Sequence, residues 1–346
     1  MTDKDKNRRP TIYDVALEAK VSPATVSSVI NKSRFVSEDK KKKVNKAISK
    51  LNYRINPIAR GLRKKSLRTV GIVVPDIAEV FYSQVIAGME EEARKRNYTL
   101  VLCCTFYNKE EEEKQTDILL NQSVDGIIFF SGSDNCEIID KVKNNGTPIV
   151  LTDRQIEDDE ISSVLIDNKL AMENIVDYLI RLGHKKIAYI TMNFNNQTTV
   201  KERYMGYCES LRKHGISIDE NLIMIDNEVR FDAMKRTYSI VDNFLKMGYP
   251  ATAFIAIADF MALGAMKAIE DNGHEVPKDI SVVGFNSDSI CEYLSPPLTS
   301  VKQPKKTMGK TAMSLLIDKI EGKKIKNKKI VLPVEIIERG SVIEIS

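Results

Sequence analysis

Three short hydroxyl side chains, Thr25, Ser27 and Ser28, lie close together in "VSPATVSSVINK" (21–32), between "TIYDVALEAK" and four consecutive lysines, Lys40–Lys43. A hydroxyl can donate and accept, and it is short enough to let a helix approach the edge of a base pair closely. The lysines around it suit phosphate, which they would hold without reading sequence. The charge distribution points the same way. Residues 1–68 carry 19 Lys/Arg against 6 Asp/Glu, a surplus of +13, while the rest carries 33 against 42, or −9. A basic head on an acidic body implies a polyanionic partner, either nucleic acid or an anionic membrane.

Groups that could support catalysis are missing from the sequence pattern. "VGIVVPDI" has a single glycine where a dinucleotide loop would need three, and neither a GxxxxGK[ST] loop nor a GxSxG elbow occurs. His184, His214 and His274 lie far apart, and no metal-ligand spacing is present. Cys103, Cys104, Cys136, Cys208 and Cys291 form no CxxC pair and read as reduced thiols. The pattern therefore predicts a protein that is not an enzyme and uses no metal or cofactor. "MTDKDKNRRP" lacks the apolar segment of a signal peptide, and no apolar run approaches the ~18–20 residues of a membrane span. The expected compartment is the cytoplasm, at the nucleoid.

The elements that must position these residues change character along the chain. Thr11 can cap a helix with Ile12, Val15, Ala16 and Ala19 on one face, and Ser22 can cap a second with Pro23 at its first position. Ser37 can begin a third helix with Val44, Ala47, Ile48 and Leu51 inward. The first two, joined by a tight turn, match a helix-turn-helix, in which Val26, Val29 and Ile30 face the interior. A small three-helix bundle without a DNA role shares this pattern. From Val70 onward, apolar strands alternate with helices in two series. "TVGIVVP", "YTLVLCC", "VDGIIFF", "TPIVLTD" and "SSVLID" come first, then "KKIAYIT", "LIMID", "ATAFIAIA" and "ISVVGFN". This predicts two doubly wound parallel sheets, with "DGIIFF" and "TAFIAI" in equivalent third places and a ligand cleft between the sheets.

The segment from Thr11 to Lys65 strongly resembles the head of the lactose/galactose repressor (LacI/GalR) family. The resemblance continues in order through "VGIVVPDI", "VDGIIFFSG", "LGHKKIAYIT", "KERYMGYCESL", "MALGAMKAIEDNG", "VPKDISVVGFN" and "PPLTSVKQP". It implies an all-α helix-turn-helix headpiece (1–55), a hinge helix or linker (56–68), and a periplasmic-binding-protein-like α/β core (69–346), assembled as dimers or tetramers. Within the core it suggests a subdomain N of about 69–166 and 298–324, and a subdomain C of about 167–297 and 325–346. Implied DNA contacts are Thr11 and Tyr13; Ser22, Pro23, Ala24, Thr25, Ser27 and Ser28; then Asn31, Arg34, Tyr53 and Asn56. In the hinge they are Ala59, Arg60, Leu62 and Arg63, with Leu62 as a minor-groove wedge; packing of Leu62 on the core is the other reading. Many family members have an arginine where this chain has Ser28.

For the effector, the resemblance points to Phe81 and Tyr82, Asp153 and Arg154, Arg203, Phe231 and Gln303. Three positions depart from the family pattern: Glu79, Ala258 (before Asp259) and Asn286. Loss of an aspartate beside Arg154 and Arg203 makes the cleft more tolerant of an anion, so a sugar or acidic sugar derivative is expected, with Glu79 opposing it if it faces the cleft. The expected function is a sequence-specific transcriptional regulator, a repressor, acting on a near-palindromic operator in double-stranded DNA. A protein co-regulator acting beside a vestigial pocket is the alternative. A solute-binding protein of a transporter is disfavoured by the basic head.

Overall fold

The computed structural model describes residues 10–31, 34–53, 66–130, 136–156, 158, 160–193, 198–228, 232–326 and 328–345. The chain divides into two compact units, Met1–Leu67 and Arg68–Ser346.

In the first unit, α1 (Ile12–Ala19), α2 (Pro23–Asn31) and α3 (Glu38–Lys50) enclose a small core of Val15, Ala16, Ala19, Val26, Val44 and Ala47. Thr11 starts α1 with a capping box: its main-chain N–H donates to Asp14 Oδ2 at 2.7 Å, and its hydroxyl accepts from the Asp14 N–H. Lys20 ends α1 in the left-handed region (φ 52°), which turns the chain at once into α2. Val29 and Ile30 pack against the core beside Val26, as their spacing predicts.

The second unit contains two six-stranded sheets. The first consists of β1 (Thr69–Val74), β2 (Thr99–Cys104), β3 (Gly126–Phe130), β4 (Ile149–Thr152), β5 (Ser162–Ile166) and β11 (Lys329–Leu332). The second consists of β6 (Ile187–Met192), β7 (Ile223–Asp226), β8 (Ala253–Ala256), β9 (Ser281–Asn286), β10 (Thr299–Lys302) and β12 (Glu335–Ile337). Their orders, β11-β5-β4-β3-β1-β2 and β12-β10-β9-β8-β6-β7, correspond strand for strand, with β3 and β8 in equivalent places. The pairings are parallel except β10–β12. Central strands such as β3, β8 and β9 are buried throughout, which is why they read as unbroken apolar runs.

Helices flank both sheets: α4 (Val80–Lys95), α5 (Lys109–Asn121), α6 (Cys136–Asn144) and α11 (Lys305–Ile320) the first, and α7 (Asn168–Arg181), α8 (Thr198–Lys213), α9 (Ala233–Lys246) and α10 (Asp259–Asp271) the second. α4 and α11 pack backbone to backbone: a Cβ on Gly309 would lie 1.9 Å from Val85 O, and one on Gly88 would lie 2.3 Å from Lys306 O.

The subdomain limits correct the expectation. Residues 299–302 join the second sheet beside β9, and 329–332 join the first beside β5. The later crossings therefore fall at 303–304 and 333–334, after the strands and not before them. Ser300 anchors the first exchange by donating to the buried Asp259 Oδ1 at 2.6 Å. β11 is an edge strand of alternating exposure, so it leaves no continuous apolar run to detect.

Candidate DNA-reading helix and ligand cleft

In the first unit, Tyr13, Ser22, Ala24, Asn31 and Arg34 are exposed, while Thr11, Pro23, Thr25, Ser27 and Ser28 are half-buried. The α2 hydroxyls differ in their commitments. Ser22 Oγ caps the Thr25 N–H at 3.2 Å and bonds the Thr25 hydroxyl at 2.9 Å. Asn31 Nδ2 donates to Ser27 O at 2.9 Å and to Ser27 Oγ at 3.3 Å. Among the described residues no bond from the Ser28 hydroxyl is recorded, so it is the hydroxyl most available to an outside partner. Tyr53 packs on the headpiece core, and burial raises its pKa. Lys41, Lys43 and Lys50 pair with Glu38, Asp39 and Glu18 at 2.6, 2.9 and 2.8 Å, so much of the lysine charge is balanced locally. Lys40, Lys42 and Lys46 take part in no ion pair among the described residues. Asn56, Ala59, Arg60, Leu62 and Arg63, together with Phe231, lie outside the described residues.

The cleft lies beyond the carboxyl ends of both sheets. Asp153 (φ 53°) follows β4 and Asn286 (φ 116°) ends β9, so the equivalent fourth strands both finish in the left-handed half of conformational space. Such geometry is costly for a residue with a side chain and clusters at functional sites. Arg203, from α8, is held by its own subdomain: Nε donates to Asn168 Oδ1 at 2.9 Å and Nη1 to Ile257 O at 2.8 Å. Its guanidinium stands 3.8 Å from the Phe285 ring centroid, and burial lowers its pKa.

Opposite, Tyr107 donates to Glu79 Oε1 at 2.6 Å, and its hydroxyl bonds that of Tyr82 at 3.2 Å. Phe81 meets Tyr82 edge-on, with centroids 5.2 Å apart. Burial pushes the Glu79 carboxyl up to about 7, assisted by Asp76, Asp288 and Asp153 and opposed by the Tyr107 bond. Burial likewise pushes Asp153 up to about 7, against the attraction of Arg203. Glu79 therefore does face the other cleft carboxylates. Gln303, on the crossing after β10, donates to Asn286 Oδ1 at 2.8 Å. Asp153 Oδ1 and Gln303 Oε1 are buried and have no hydrogen-bond partner among the described residues. Ala258 is buried and caps α10 without a side-chain bond. Asp259 accepts from Ser300 and from the Asp288 N–H, and burial pushes it up to about 6. From the mouth, a largely apolar cavity of about 780 Å³ extends between the β1–α4 loop and the α9–α10 pair, past Val80, Met234, Phe260 and Leu263.

Arg154 is not brought to the cleft. It lies on the other side of the sheet, in a buried ion pair with Glu112 of α5 at 2.6 Å and 6.0 Å from the Phe129 ring centroid. Asp153 and Arg154 follow the end of β4, where Asp153 turns the chain, and Glu112 captures the arginine. The cleft thus loses one of the two cations on which tolerance of an anion rested. Tyr107, Lys305 and Asp288 were missed from sequence. Lys305 Nζ donates to Asn286 O at 2.9 Å and pairs with Asp288 at 2.5 Å, both buried. The only local sign of it was a pair of lysines just after "VKQP".

Comparison with known proteins agrees with this architecture. A profile described as "Bacterial regulatory proteins, lacI family" matches residues 11–56, and one described as "Periplasmic binding protein-like domain" matches 176–342. The transcriptional regulator RegA of Clostridium saccharobutylicum is 37% identical over 96% of this chain and 99% of its own length. A lac repressor dimer bound to operator and the anti-inducer ONPF superposes with a TM-score of 0.86 at 27% identity, covering 97% of this chain and all of that one. The regulator CelR in complex with cellobiose superposes at 0.73 with 30% identity, covering 96% of this chain and all of CelR. These relatives are regulators and not enzymes, and among the described residues no helix is long and apolar enough to cross a membrane. The chain belongs to the LacI family of DNA-binding transcriptional regulators.

Proposed function

We propose that the protein represses transcription by binding a near-palindromic operator as a homodimer, and that a sugar held between the two core subdomains sets its operator affinity. The observation that carries the ligand half is the pair of buried acceptors, Asp153 Oδ1 and Gln303 Oε1, on the two faces of one cleft beside an aromatic-backed guanidinium. Such groups suit a polyol, whose hydroxyls satisfy the acceptors while its ring lies against apolar surface. The likeness to a cellobiose-bound regulator supports a sugar, and the likeness to an operator-bound dimer supports twofold half-sites. Phe81, Tyr82, Asp153, Arg203, Asn286 and Gln303 are the proposed contacts, with Arg154 acting through the fold. On the DNA side, Ser28 and the exposed start of α2 read bases, while Lys40, Lys42 and Lys46 meet phosphate. Ligand in the cleft changes the angle between subdomains, and that change is coupled to operator affinity. Selected-site sequencing identifies the operator. Fluorescence anisotropy on that site with a sugar panel then tests the coupling: an affinity that no panel member changes rejects the sugar effector.

A further inference from the structure

Within that reading of the cleft as a sugar site, we propose that it selects a sugar carrying a protonated amine in preference to neutral or acidic sugars. The cleft charges leave few alternatives. Lys305 is committed to Asp288 at 2.5 Å and to Asn286 O, and Arg154 to Glu112 at 2.6 Å. Of these three cations Arg203 is the one left facing two carboxylates, Glu79 and Asp153; Asp76, Asp288 and Asp153 repel Glu79, and Glu202 repels Asp153. An anionic ligand would add to that repulsion in a partly desolvated space, whereas an ammonium would relieve it.

The second observation is independent of charge. Asp153 and Gln303, 5% and 3% exposed, each present an acceptor oxygen without a hydrogen-bond partner among the described residues. A ligand carboxylate accepts only, so it cannot satisfy either. An ammonium brings three N–H donors, and the sugar hydroxyls bring more. Glu79 also retains a second carboxylate oxygen for which no bond is recorded among the described residues, since Tyr107 binds Oε1.

The test is calorimetry on the full chain with glucose, galactose, mannose and cellobiose, each compared with its 2-amino and uronate counterparts, at pH 7 and fixed salt. The expected result is an amine member binding at least about tenfold tighter than its neutral and uronate partners. Glu79→Gln should reduce that ratio to within about threefold, and Asp153→Asn provides a second variant if Glu79→Gln fails to fold. A neutral or uronate member binding as tightly as its amine counterpart overturns the proposal, as does failure of every amine member to bind. The underlying sugar reading falls separately, only if no member in any charge state alters operator affinity.

Discussion

At the scale of single residues, Glu79 and Ser28 carry the sharpest expectations. The folded chain holds the Glu79 proton more tightly than the unfolded chain does, because burial pushes its carboxyl up from 4.5 to about 7, with Asp76, Asp288 and Asp153 adding to the shift and the Tyr107 bond opposing it. Stability from this group is therefore full below pH 4.5 and is lost as pH rises toward 7. Asp153 and Asp259 act in the same sense, whereas His184, whose pKa burial lowers from 6.5, acts in the opposite one. The expected result is a smaller fall in Tm between pH 5 and pH 7 for Glu79→Gln than for the native chain; equal falls would remove Glu79 from this role. At Ser28, replacement by arginine should change the half-site recovered by site selection, because a guanidinium can grip a guanine edge with two bonds and a serine cannot. Identical recovered motifs would show that Ser28 reads no base. Both residues were visible in the sequence as departures from a family pattern. The true surroundings of Arg154 were not, because its partner Glu112 lies 42 residues upstream and nothing in "LTDR" announces it.

At the scale of elements, the contact between α4 and α11 is the tightest joint in the core. With Gly309 so close to Val85 O, Gly309→Ala forces backbone apart and should destabilise the core by about 1–3 kcal/mol, read as a shifted urea midpoint with unchanged slope. In the headpiece, Thr11→Ala removes one half of the capping box and should cost about 1 kcal/mol of headpiece stability, measured by thermal melting of the headpiece signal. Element type was readable almost throughout: buried central strands appear as apolar runs, and capped helices as hydroxyls followed by apolar periodicity. Edge strands were not. Lys329–Leu332 alternates between exposed and half-buried, and Glu335–Ile337 is only three residues long, so neither yields a signal above that of a loop.

For the whole molecule, the division of charge between a basic head and an acidic body predicts operator binding that weakens steeply with salt. Lys42→Ala should weaken binding about equally on all sequences and reduce the slope of log affinity against log salt by about 1 per protomer. An unchanged slope would place Lys42 away from the phosphates. The two-sheet plan follows from the repeated run of strands, and its internal likeness from the equal places of "DGIIFF" and "TAFIAI". The path by which the chain exchanges subdomains does not, since it is set by pairing partners distant in sequence, such as Ser163 with Lys329 and Gly284 with Ser300.

That exchange has a consequence during synthesis. The first sheet begins at Thr69 but takes its last strand from Lys329–Leu332, and the second closes with Glu335–Ile337. Neither subdomain can complete its sheet until residues 329–337 have left the ribosome, although the headpiece has long since emerged. A nascent chain of this protein thus presents a formed DNA-reading unit tethered to an unfinished core, and both halves of that core close together only once these late strands are free to pair.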